Sequence, residues 1–258
     1  MLLSQIVEAY GQTECTALVS AAVGPTGGNV GHPVTCNRIK LADVPEMNLQ
    51  VSTGGRGEIC VKGPNVTKGY FKRPDLTNEL IDSNGWLHTG DIGEFLPDGS
   101  LRIVDRRKNI FKLAQGEYVA PEKVENIYAC CPLVAQVFVD GMVSFVEPHL
   151  QWFTVAIVVP EQLEAERWAE ENGLGGCSFE EICKSPQFVM HLLLTLRQIG
   201  SEKRLNGIEQ VRSIYVHPEL FTIDKDLLTP TMKNKRAQLR NYFRHEIERM
   251  YLEGAMIQ

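Results

Sequence analysis

The chain has 258 residues, 43% hydrophobic and 22% charged, which describes a globular protein with length for one large or two ordinary cores and excludes a disordered or fibrous chain. Its 26 basic and 32 acidic residues leave a formal charge of −6, which argues against general nucleic-acid binding through a phosphate-neutralising basic surface. Seven cysteines, at 15, 36, 60, 130, 131, 177 and 183, form no CxxC pair and meet no His-x-x-x-His, so their pattern points to buried free thiols in a reducing compartment rather than to zinc or disulfides.

The first residues, MLLSQIVEA, contain no basic segment, apolar core and small-residue cleavage site of the secretory kind. They lead directly into YGQTE at residues 10–14, a polar turn with a hydroxyl and a carboxylate behind an aromatic ring. Either this is an ordinary surface turn, or it belongs to a larger structure whose remainder lies upstream. GPTGGNVG at residues 24–31 is glycine-rich but has no following Lys-Ser/Thr of the phosphate-gripping type. GEICVKG at residues 57–63 reads as a strand, and two β-type runs around Pro97-Asp98-Gly99 read as a hairpin. GWLHTGDIG at residues 85–93 sets three glycines around Trp86, Thr89 and Asp91: either a loop whose backbone lets a ligand approach, or an Asp-stabilised turn between strands.

The texture changes near residue 105, where DRRKNIFKLAQG places cations, an aromatic and a glycine together. Guanidinium and ammonium groups suit phosphate or ribose oxygens, although a solvated strand between domains would carry the same charges. PEKVENIY at residues 121–128 predicts a helix, with Pro in its first turn and acidic residues early. Residues 134–140 and 152–159 predict two strands of a small sheet; the second, WFTVAIVV, is far too short to cross a bilayer as a helix. Residues 178–184 and 186–199 predict helices, the latter with Phe188, Leu192, Thr195 and Leu196 on one face. LTPTMKNKR at residues 228–236 reads as a basic helix start, and a terminal helix follows with Leu239, Tyr242, Phe243, Ile247 and Met250 in one apolar stripe and Arg240, Arg244 and Arg249 outside it. This is the pattern of a docked helix with a solvated basic face, the alternative being a membrane-binding one.

The order YGQTE, GWLHTGD, DRRKNIFKLAQGEYVAPEKVE, TPTMKNKR resembles the carboxyl-terminal half of the adenylate-forming acyl-CoA synthetases, and within them the eukaryotic long-chain fatty acid–CoA ligases. The resemblance covers nearly the whole chain. It implies an α+β fold: residues 1–104 as the β-rich end of the large AMP-binding domain, 105–108 as a hinge, and 109–258 as a small mobile α+β lid. It also implies a two-step reaction, in which a long-chain fatty acid carboxylate attacks the α-phosphate of ATP and a coenzyme A thiol then displaces AMP.

By that resemblance Tyr10 packs against adenine, Thr13 touches the α-phosphate, and Glu14 holds Mg²⁺. Asp91 accepts hydrogen bonds from the ribose hydroxyls with Arg106 as its cationic partner. Lys108 is the pivot, Gly116 lies near the pantetheine path of coenzyme A, and Lys233 stabilises the adenylation transition state, with Lys235 in reserve. The family's upstream phosphate loop and acyl pocket are not found in the chain, so the expectation is a portion of a ligase, inactive alone and lacking its amino-terminal half. The alternatives are a non-catalytic nucleotide- or CoA-binding remnant, or a ligase for another carboxylic acid. The expected location is intracellular, in the cytoplasm or on the cytosolic face of a membrane such as the endoplasmic reticulum, where peripheral association is compatible with the sequence.

Overall fold

The computed structural model describes residues 7–22, 27–113, 116–141 and 153–255. The fold is mixed α+β, and the chain divides into two compact units, Met1–Lys108 and Asn109–Gln258. Residues 24–26 of the glycine-rich stretch, and Trp152 at the start of a predicted strand, lie outside the described residues.

The first unit is built mainly of β-strands. Strands β1 (Ala9–Tyr10), β2 (Ser20–Ala21) and β3 (His32–Pro33) form a small antiparallel sheet in that order. A larger antiparallel sheet runs β4 (Arg38–Ala42), β5 (Arg56–Lys62), β6 (Leu87–Phe95), β7 (Leu101–Arg106), with short helices α1 (Val51–Gly54) and α2 (Pro74–Leu80) between strands. Cys15 and Val19 from the first residues and Ile59, Val61, Leu87 and Leu101 from the larger sheet share one buried cluster. Hydrogen bonds Val30 N–H to Leu101 carbonyl and Leu101 N–H to Gly31 carbonyl, both 2.8 Å, stitch the two parts together.

The second unit opens with the hairpin β8 (Phe111–Lys112), β9 (Tyr118–Val119), then α3 (Pro121–Tyr128). Its sheet has the order β10 (Val134–Asp140), β11 (Thr154–Pro160), β12 (Val211–Val216). The β10–β11 pair is antiparallel and the β11–β12 pair parallel, the latter reached through α4 (Gln162–Glu171), α5 (Phe179–Lys184) and α6 (Pro186–Glu202) as a parallel crossover requires. Helices α7 (Arg236–Tyr242) and α8 (Arg244–Ala255) complete it.

Strand alternation divides the core in two. Val137, Val139, Ala156 and Val158 face the cluster built with α3 and α6, whereas Phe138, Val155, Ile157 and Val159 face the cluster built with α7 and α8. All seven residues of β11 are buried, which explains its unbroken apolar run. In α6, Phe188, Leu192, Leu196 and Gly200 are buried at four-residue intervals, while Thr195 is only half-buried and returns its hydroxyl to the His191 carbonyl at 2.9 Å.

Three expectations are corrected. The terminal helix is two helices meeting at Phe243 (φ −98°, ψ 21°), and Tyr242 beside the bend is exposed while Phe243 takes the buried place. Arg240 is not on a solvated face: it reaches Asp140 Oδ1 at 2.6 Å, because that carboxylate is 1% exposed and needs a counter-charge. The thiols are all free, but only Cys15, Cys60, Cys131 and Cys183 are buried; Cys36, Cys130 and Cys177 sit in exposed positions. Among the described residues no helix is long and apolar enough to cross a membrane.

Candidate functional site

The motif around Thr89 is a bulge in the larger sheet. Glu58 pairs with Ile92 and Cys60 with His88, so two steps along β5 are matched by four along β6. The extra residues fall at Thr89-Gly90-Asp91, and each solves one problem of the interrupted ladder. The Thr89 hydroxyl donates to the Ile59 carbonyl at 2.8 Å. Gly90 takes φ +73°, in the left-handed region, and its N–H donates to Glu58 Oε1 at 3.1 Å. Asp91 follows, its N–H bonded to the Thr89 hydroxyl at 3.1 Å.

Asp91 is thereby held between two partners. Tyr10 Oη donates to Oδ2 at 2.6 Å, and Arg106, its cross-strand neighbour on β7, sets Nε 3.7 Å from Oδ1. The carboxylate is buried while the guanidinium is half exposed. Burial first, then the charge and hydrogen bond of Asp91, push the Tyr10 phenol far above its ordinary range. A carboxylate with an exposed guanidinium alongside can accept hydroxyl hydrogen bonds from a ligand and answer its negative charge.

The YGQTE turn beside it is held by close backbone approach. A Cβ on Gly11 would lie 1.7 Å from the Ala17 carbonyl oxygen, so only glycine fits. Thr13–Cys15 is a 3₁₀ turn with Thr13 exposed, and Thr16 and Ala17 follow at φ 55° and 71°. Asn65 clamps this strained return by donating to the Cys15 carbonyl at 2.8 Å and accepting, through its own carbonyl, the Thr16 hydroxyl at 2.8 Å. Glu14 Oε1 accepts the Tyr70 hydroxyl at 2.6 Å, a bond that raises the Tyr70 phenol.

Behind the bulge, Glu58, Cys60 and His88 bring oxygen, sulfur and nitrogen atoms within 4.8 Å of one another. His88 Nδ1 donates to Glu58 Oε2 at 2.9 Å, and Arg107 Nη1 lies 3.7 Å from the same oxygen. Arg107, which also pairs with Glu46, places a positive charge beside this oxygen, and the cluster reads as a hydrogen-bonded support.

In the second unit, Lys233 stands on a tight turn between Leu228 and Asn234, which form an isolated bridge. The Thr229 hydroxyl accepts the Lys233 N–H at 3.0 Å and the Lys233 carbonyl accepts the Thr229 N–H at 2.8 Å, with Met232 at φ 61°. Lys233 is exposed and its ammonium has no ion-pair partner within its unit among the described residues, whereas Lys235 is paired with Asp226. The segment after Lys233 is fastened along β10, an edge strand among the described residues. Asn234 donates to the Val137 carbonyl and Arg236 to the Val139 carbonyl, both at 3.0 Å. Arg236 also meets Glu125 at 2.6 Å, and Glu125 accepts the Val139 N–H at 2.8 Å. Burial outweighs these partners and raises Glu125 to about 7. Gly116 closes the β8–β9 hairpin at φ 93°, its N–H on the Leu113 carbonyl at 2.9 Å. Lys108 is exposed in the turn after β7, at the last position of the first unit.

Tyr10 and Arg106 thus both contact Asp91 within one unit. Glu14 meets Tyr70, which sequence reasoning missed, as it missed Asn65 and the Glu125–Arg236 pair. Glu58 was legible in principle: a lone carboxylate inside the apolar strand GEICV must find partners if the strand is buried.

Residues 1–71 match the AMP-binding enzyme family. The chain is 54% identical over 96% of its length to long-chain fatty acid–CoA ligase 1 of Cavia porcellus and 53% identical over the same share to that of Homo sapiens, covering 34% of each. It spans about a third of the length of these curated relatives. Among solved structures it is similar to the adenylation domain of a carboxylic acid reductase from Segniliparus rugosus in complex with AMP and a co-purified carboxylic acid, with TM-score 0.77, 30% identity, and coverage of 96% of this chain and 35% of that one.

Proposed function

From its homology to the long-chain fatty acid–CoA ligases over about a third of their length, we propose that the chain carries the ribose-binding and lid portion of an ATP-dependent, AMP-forming acyl-CoA ligase. The observation that supports this best is Asp91, displayed by the β6 bulge with Arg106 on one oxygen and Tyr10 on the other. Asp91 accepts the ribose hydroxyls and Arg106 adds its charge beside them, while the Tyr10 ring lies against adenine. Thr13, exposed at the head of its 3₁₀ turn, offers its hydroxyl to the α-phosphate.

Glu14 fits a role in holding Mg²⁺, because Tyr70 engages one carboxylate oxygen and a magnesium ion bound mainly by phosphates and water needs few protein ligands. Bound there, the ion would neutralise phosphate charge. Lys233, on its clamped turn, supplies a mobile cation to the charge that develops when a fatty acid carboxylate attacks the α-phosphate. Coenzyme A then displaces AMP with its thiol, its pantetheine passing the hairpin at Gly116. Lys108 is the pivot residue between the lid of residues 109–258 and the remainder, and presents these two groups in turn. The acyl substrate is a long-chain fatty acid, and its contact with a membrane surface on the cytosolic side is peripheral.

The test is calorimetric binding of AMP and of 2′,3′-dideoxy-AMP to the chain. Hydrogen bonds to a charged group predict about a tenfold or greater preference for AMP, lost in Asp91→Asn. Equal binding of the two nucleotides by the unsubstituted chain would overturn the reading.

A further inference from the structure

We propose that Glu58 is the positioning residue for the Asp91–Arg106 pair, acting through the neighbours of both. This rests on the ribose-binding reading above. The bulge that presents Asp91 leaves the Gly90 N–H without a strand partner, and Glu58 Oε1 accepts it at 3.1 Å. Its other oxygen lies 3.7 Å from Nη1 of Arg107, the residue after Arg106, whose Nη2 pairs with Glu46, and Arg107 N–H returns to the Gly90 carbonyl at 2.8 Å. One buried carboxylate therefore joins the residue before Asp91 to the residue after Arg106, and the two bonds at Gly90 close a ring through both strands.

The chemistry requires a carboxylate at this position. Oε2 accepts His88 Nδ1–H at 2.9 Å while facing the Arg107 guanidinium, so both of these neighbours are donors. A glutamine could keep the Gly90 bond but would turn an NH₂ towards two donors. On the far side of the ring, Asp82 Oδ2 lies 3.8 Å from His88 Nε2. A site that must hold two hydroxyl-binding groups within a few tenths of an ångström needs such support, since Gly90 alone has open space around it and no side chain to pack.

The experiment compares AMP with 2′,3′-dideoxy-AMP, which lacks the hydroxyls that Asp91 would accept, on the chain and on Glu58→Gln, Glu58→Asp and Arg107→Gln. We expect Glu58→Gln to cut the preference for AMP from about tenfold or more to about threefold or less, with dideoxy-AMP affinity unchanged within about twofold. Arg107→Gln, which leaves the Glu58–Gly90 bond in place, should produce a smaller loss in the same ratio. Glu58→Asp should recover part of the ratio. Equal weakening of both nucleotides would show a role in folding alone and overturn the inference. So would an unchanged ratio in Glu58→Gln and Arg107→Gln while Asp91→Asn abolishes it, which leaves the ribose reading standing. Absence of any preference in the unsubstituted chain would overturn both.

Discussion

The Tyr10 hydroxyl donates a 2.6 Å hydrogen bond to Asp91 Oδ2, joining residues 81 positions apart. The aromatic of the first motif and the acid of the second are therefore one unit of structure before any ligand enters. Tyr10→Phe should lower the unfolding free energy by about 1–2 kcal/mol, measured by urea denaturation, because the bond ends on a buried charge. Asp91→Asn should lower the pH at which Tyr10 ionises, measured by ultraviolet titration, because the charge and hydrogen bond that raise that phenol are then gone. With the folded value raised, the stability this group contributes is present below its ordinary 10.0 and is lost as pH climbs above it.

Two glycines should answer differently to alanine. At Gly90 a Cβ meets nothing within 4 Å, so the cost is the left-handed backbone alone, about 1–2 kcal/mol. At Gly11 the Cβ would strike the Ala17 carbonyl at 1.7 Å, and the turn itself must move. Gly11→Ala should cost about 3 kcal/mol or more, seen as the larger drop in thermal midpoint.

The edge of β10 carries a pH-sensitive fastening. Glu125 is raised from an ordinary 4.5 to about 7, first by burial and against the opposing pull of Arg236. A raised value means that its stabilisation is complete below pH 4.5 and is lost as pH rises through about 7. Unfolding free energy should fall across that window in the unsubstituted chain and be flatter in Glu125→Gln, by denaturation at stepped pH. Arg236→Ala should cost about 3–5 kcal/mol at pH 8, because it strands a buried carboxylate.

Lys233 and Lys235 should differ in reactivity. The Lys235 ammonium is paired with Asp226, while that of Lys233 is exposed and has no partner within its unit among the described residues. Competitive acetylation read by mass spectrometry should modify Lys233 faster. Asp226→Asn should narrow the gap by releasing Lys235. Equal rates in the unsubstituted chain would leave Lys235 as good a candidate for the mobile cation.

Local pattern was enough to read the elements whose signal lies within a few residues. The Pro-led acidic start marked α3, the alternation and apolar runs marked β10 and β11, and the Pro97-Asp98-Gly99 turn marked the β6–β7 hairpin. Motif order likewise carried the resemblance to the long-chain ligases. What the sequence could not disclose is which distant groups satisfy one another. Tyr10 on Asp91, Glu58 beneath Gly90, Tyr70 on Glu14 and Arg240 on Asp140 are pairs that form only when strands and helices from different parts of the chain meet. The physical reason is that secondary structure follows from side-chain periodicity and turn chemistry, which are local. A buried carboxylate must instead find its donors wherever the fold brings them, and sequence distance does not predict that meeting.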